Sequence, residues 1–162
     1  MKPPVMNRGL ALLLQVVVVV FGLCALVFLL GEPHLEGRNA HATMFEIYFK
    51  DPFLAYVYVG SIPVFVALQR AFGLLGHARR TAAFSPASVH DLRTIRRCAL
   101  IALGFVGGAV VIILMFGDGE DRPAGIFMSA LAASATGATA TAAGWFARRL
   151  QGAFGRGEGG RA

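Results

Sequence analysis

Four long apolar runs, separated by shorter polar stretches, set the pattern of this chain. The first covers residues 10–31 and includes the unbroken block Val16 to Val20; the others cover 53–75, 98–116 and 124–147. Each has the length, about 20 residues, that a helix rising 1.5 Å per residue needs to cross a hydrocarbon core of ~30 Å. Lipid offers no partner to an unpaired backbone amide, so helix is the required form. The pattern therefore predicts an all-α integral membrane four-helix bundle, one domain over residues 1–162. Loop 32–52 lies on one side of it, and loop 76–97 and tail 148–162 lie on the other.

Local signals refine the boundaries. Asp51 followed by Pro52 suits a helix start, an acceptor followed by a ring-locked first residue. Pro63 lacks an amide donor and should kink the second span. The first run is too long for a signal-peptide core, and Leu29-Leu30-Gly31-Glu32-Pro33 offers no small-x-small cleavage site, so it is expected to be retained. In the 76–97 loop, Ser85 and Pro86 predict an N-cap and first helical residue. Val89, Leu92 and Ile95 then recur every third residue, with Arg93, Arg96 and Arg97 interleaved. That is a short basic amphipathic helix leading into the third span, expected to lie against anionic lipid or a partner.

Charge decides the orientation. Of fifteen Lys and Arg residues, twelve fall in the N-terminal tail, loop 76–97 with Arg70 at its edge, and the C-terminal tail. Only Arg38, Lys50 and Arg122 fall on the opposite side. Basic residues resist translocation, which predicts both termini in the cytoplasm. Seven of nine acidic residues lie opposite, all except Asp91 and Glu158. The net charge of +6 is thus accounted for by membrane topology, and nucleic acid is not an expected partner. A composition of 56% hydrophobic and 15% charged residues agrees, since soluble domains carry about 25% charged.

Inside the bilayer, small residues suggest where helices meet. Gly104 and Gly108 form a GxxxG pair, and Ser129, Ala133, Gly137 and Thr141 follow i+4 spacing in the fourth span. Small side chains let backbones approach, so these residues are expected to pack spans three and four, or a homo-oligomer. Cys24 and Cys98 fit no metal or redox spacing and read as small buried hydrophobes. His34, Glu36, His41 and Glu46 share the 32–52 loop but match no ligand pattern, so no metal or other cofactor is expected. The spans hold no carboxylate, lysine or histidine at mid-depth, the groups that mark proton and ion paths. No nucleophile with a base beside it points to an enzyme.

The stretches Leu68-Gln-Arg-Ala-Phe-Gly-Leu-Leu-Gly76, Ala83-Phe-Ser-Pro-Ala-Ser-Val89 and Leu92-Arg-Thr-Ile95 resemble the bacterial membrane proteins of the domain of unknown function 2975 family. That family is similar in size and span number, and carries a Phe-Ser-Pro-x-x-Val-x-x-Leu-Arg-x-Ile-like stretch before its third helix. The resemblance implies a bacterial inner-membrane location and transfers no catalytic residue. The function expected is that of a non-enzymatic, interacting or regulatory membrane component. Its contacts with lipid or a protein partner would run through Arg79, Arg80, Arg93, Arg96 and Arg97. The alternative is a small transporter or channel subunit, with a path along Ser129, Ser134, Thr136, Thr139 and Thr141.

Overall fold

A computed structural model describes residues 6–35, 52–81, 84–117, 119 and 122–158. They form four helices: α1 (Arg8–Leu35), α2 (Pro52–Thr81), α3 (Pro86–Phe116) and α4 (Arg122–Glu158). No strand occurs among the described residues. All four helices are long and apolar enough to cross a membrane, so the chain is an all-helical membrane protein with four candidate spans. The Asp51 cap expected before the second span lies outside the described residues, as do the side chains of His34, Glu36, His41 and Glu46.

Helices pack in chain order, α1 on α2, α2 on α3, α3 on α4. Three of them are longer than a bilayer requires. With 30, 31 and 37 residues, α2, α3 and α4 run about 45 to 55 Å against a hydrocarbon core of ~30 Å. The surplus turns of α2 and α3 carry the basic residues, and they meet the last turns of α4 at one end of the molecule, called here the basic end. Loop 76–97 accordingly shrinks to the few residues between Thr81 and Pro86, and the expected tail from 148 continues as helix to Glu158. Charge ended the apolar runs in the sequence, but charge does not end a helix.

The protein's core sits at this basic end. Leu74 and Ala78 of α2, Phe84 of the connection, Val89, Leu92 and Ile95 of α3, and Ala143, Ala147 and Leu150 of α4 form one buried cluster. Along the spans, by contrast, large side chains face outward: Val27 is 71% exposed and Phe127 67%. The contrast has a solvent explanation. Lipid tails are as apolar as leucine, so spans gain little by hiding aliphatic groups from them. At the membrane boundary water returns, and burial becomes favourable again.

Local chemistry starts α3 where the sequence predicts. Pro86 is its first residue, preceded by Ser85 in extended conformation. Ser88 Oγ accepts the Ser85 amide at 3.1 Å, and the Ser88 amide donates to the Ser85 carbonyl at 2.9 Å, so the first turn is closed reciprocally. The amphipathic stretch and the third span are one unbroken helix. At the other end of α3, the Gly117 amide donates to Ile113 O at 2.9 Å, and Arg122 Nε donates to Gly117 O at 2.8 Å. Arg122, one of the three basic residues sorted to the far side, thus satisfies an orphan carbonyl at the α3–α4 turn. Pro63 lies within α2 without dividing it.

Leu150 is 1% exposed and Val27 71% exposed. Leu150→Ala should therefore lower unfolding stability in detergent by ~2–5 kcal/mol, while Val27→Ala changes it by less than ~0.5 kcal/mol. Denaturant titration of the two variants measures both.

Candidate functional site: the basic end

The apolar stripe of the first α3 turns is spent inside the protein. Val89, Leu92 and Ile95 are 6–7% exposed, covered by α2 and α4. Any lipid or partner that this stretch lies against is therefore not met by its apolar side. Its neighbours in the same chain occupy that side, and only the polar face is left to meet anything else.

That face is layered. Asp91 points toward α2, where its carboxylate pairs with Arg70 at 3.6 Å. With Arg70 half exposed, this link is screened by water and holds the helices together weakly. On the opposite flank Arg96 lies along α4, so close that a Cβ on Gly144 would stand 3.1 Å from its Cδ and Nε. Between these flanks His90, Arg93 and Arg97 are exposed, and among the described residues no acidic group pairs with either arginine. Arg93 and Arg97 are four residues apart and therefore share one helical face. Arg79 and Arg80 belong elsewhere: they sit in the last turn of α2 and face α1, beside Arg8. Two cationic regions thus replace the single patch of five arginines expected from sequence. A further cation, Arg149, stacks 4.1 Å over the Trp145 ring on the outer side of α4.

The residues expected to pack the spans divide as well. Gly108 is a true close approach, because a Cβ there would run into the hydroxyl of Tyr56 on α2. That hydroxyl donates to Phe105 O at 2.9 Å, and the Tyr56 and Phe105 rings lie 5.1 Å apart. Gly104 is exposed, with open space where a Cβ would be. Contact near this level is large-into-small instead, with Phe105 filling the gap over Gly60 of α2 at 3.0 Å. In α4, Ser129 is buried, Ala133 and Gly137 are half-buried, and Thr141 is exposed. A strict i+4 ladder turns by about 40° per step and so winds off the contact face. The buried face runs through Ser129, Ala140, Ala143, Ala147 and Leu150. Approach to α3 is closest at Gly125, where Ile113 fills the space a Cβ would meet at 3.1 Å, and at Gly144.

The hydroxyls named along α4 do not share one surface within the chain. Ser134, Thr136, Thr139 and Thr141 each donate to a carbonyl three or four residues back in their own helix, at 2.7–3.2 Å. Those donors are occupied, and the side chains range from exposed to half-buried rather than lining one surface. Both cysteines are free thiols. Cys98 is buried as expected, but Cys24 is exposed, since α1 packs on α2 with one side and turns the other outward. No group of three metal-ligating side chains occurs among the described residues.

Comparison with known proteins places this architecture. Residues 38–152 match the family model described as "Protein of unknown function (DUF2975)". The chain belongs to this family. It is also 30% identical over 121 residues to the "Uncharacterized membrane protein YoaS" of Bacillus subtilis (strain 168), covering 73% of this chain and 74% of that one. No solved structure matches it.

Within the DUF2975 segment, the Phe-Ser-Pro stretch proves mainly architectural. Phe84 is buried and meets Phe146 of α4 edge-on at 5.3 Å, seating the α2–α3 connection on the last helix. Ser85, Pro86 and Ser88 start α3, and Val89, Leu92 and Ile95 form its core face. Arg93 is the charged member of the motif, and it faces outward. All of α1 precedes the matched segment.

Gly108→Ala should displace Tyr56 and lower stability in detergent by ~1–3 kcal/mol. Gly104→Ala should be neutral or slightly stabilising, because alanine favours helix and finds open space there. In a Tyr56→Phe background the cost of Gly108→Ala should shrink. Thermal unfolding of the four variants tests the contact.

Proposed function

We propose that this chain is a non-enzymatic, multi-pass protein of the bacterial inner membrane that presents the Arg93/Arg97 face of α3 to an acidic surface of a protein partner in the cytoplasm. One observation carries the proposal: the apolar side of that helical segment is already buried by α2 and α4, while the arginines opposite it have no acidic partner among the described residues. A helix meant to float in the headgroup layer needs its apolar side free. A helix anchored by that side can instead offer fixed guanidinium groups, which pair well with carboxylates. Arg96, laid along Gly144, flanks the face and stiffens it. The cytoplasmic placement follows from the sorting of basic residues to this end.

Reversing the face with Arg93→Glu and Arg97→Glu should remove a specific co-purifying protein while leaving the unfolding midpoint nearly unchanged. Quantitative affinity purification of wild type and variant from mild detergent reads this, and identical sets of bound proteins would refute the proposal. Orientation is checked separately with single cysteines at Glu36 and Arg156 in a Cys24→Ala, Cys98→Ala background. An impermeant thiol reagent on intact cells should label position 36 and spare position 156; the reverse result would place the arginine face outside.

A further inference from the structure

The second cationic region borders a groove that the arginine face of α3 does not use. It is an open groove of about 590 Å³ between α1 and α2. On the α1 side its wall is Leu12, Val16, Val19 and Val20, all of them about half exposed. On the α2 side Phe72 forms the wall, the bare backbone of Gly73 makes the room, and the Gln15 amide lies over Gly76, 3.0 Å from where a Cβ would stand. A Cβ at Gly73 would meet nothing within 4 Å. The polar group within the groove is already satisfied: Gln15 is buried, and its Nε2 donates to Phe72 O at 3.2 Å. Toward the basic end the groove runs into a second hollow bordered by Arg8, Arg79 and Arg80, with His77 beside the junction. Among the described residues no acidic side chain neutralises these three arginines.

The geometry points to a binding site for one phospholipid with an anionic headgroup. The headgroup phosphate would lie among Arg8, Arg79 and Arg80, and an acyl chain would run down the groove. Charge complementarity fixes the sign of the headgroup, since three arginines from two helices border the hollow at the mouth of an apolar channel. Length fixes the rest. From Arg8 to Val20 the helix rises about 18 Å, close to the ~15 Å depth of one leaflet's hydrocarbon. A soluble anion would make no use of the apolar wall, and a zwitterionic headgroup would bring its own cation up against the arginines. The site shares no residue with the Arg93/Arg97 face and stands or falls apart from it.

The test uses the full chain in mild detergent, titrated with phosphatidylglycerol or phosphatidylcholine, with bound lipid read by native mass spectrometry. Wild type should retain phosphatidylglycerol over phosphatidylcholine. Arg8→Gln, Arg79→Gln and Arg80→Gln together should lower that retention by about tenfold or more. Gly73→Leu, whose Cβ meets nothing within 4 Å and whose branch would extend into the channel, should lower it comparably with no loss of unfolding midpoint. Arg148→Gln with Arg149→Gln, at the same end but outside the groove, should leave it unchanged. The site is refuted if that control pair lowers retention as much as the groove variants, which would mean diffuse charge. It is also refuted if phosphatidylcholine binds equally well, or if millimolar inorganic phosphate displaces the lipid. Should the triple glutamine variant fail to fold, unchanged retention by Gly73→Leu would suffice to overturn it.

Discussion

The structure depends on one burial event at the membrane boundary, where Val89, Leu92 and Ile95 of α3 are enclosed by Leu74 and Ala78 on one side and by Ala143, Ala147 and Leu150 on the other. Deeper in the bilayer no comparable force selects a neighbour, because lipid and leucine are equivalent solvents for an aliphatic side chain. Water at the boundary makes the choice of partner energetically distinct. Once three helices are aligned there, their relative heights are set throughout. The contacts further along then need only steric fit and single hydrogen bonds, as where Tyr56 meets Gly108 and Phe105.

That same event determines what the basic end can do. An amphipathic helix on a flexible tether can sink its apolar side into a leaflet and let its charges follow. Here the apolar side is committed, and the helix continues without interruption into the third span. The charges are therefore held at fixed positions relative to the bilayer. Asp91 and Arg70 bridge toward α2, Arg96 leans on α4, and Arg93 and Arg97 remain between them. Fixed charge favours recognition of a surface of matching shape over general attraction to anionic lipid.

Much of the fold was legible in the sequence because lipid imposes simple demands. Apolar length identified the four helices, Ser85 and Pro86 marked the start of α3, and the motif stretches pointed to the family the chain belongs to. The destination of the Val89–Leu92–Ile95 stripe was not legible, since a repeat of three shows that a helix has an apolar side but not what covers it. Gly104 and Gly108 look equivalent in sequence, yet only Gly108 has a tyrosine over it, supplied by a helix some fifty positions earlier. The Ser129 to Thr141 ladder likewise ignored the slow rotation of an i+4 series around its axis. Cys24 looked buried because its neighbours are apolar, but in lipid apolar side chains are the ones that face outward. The division of the arginines into two regions had no linear signal either, because Arg8 meets Arg79 and Arg80 only through the antiparallel pairing of α1 with α2.

The peripheral position of α1 limits how far damage to it can travel. Its principal neighbour is α2, and the buried cluster draws its helical members from the other three helices. Loosening α1 therefore leaves the packing around Leu92 and Leu150 in place, whereas loosening that packing disturbs every helix it joins.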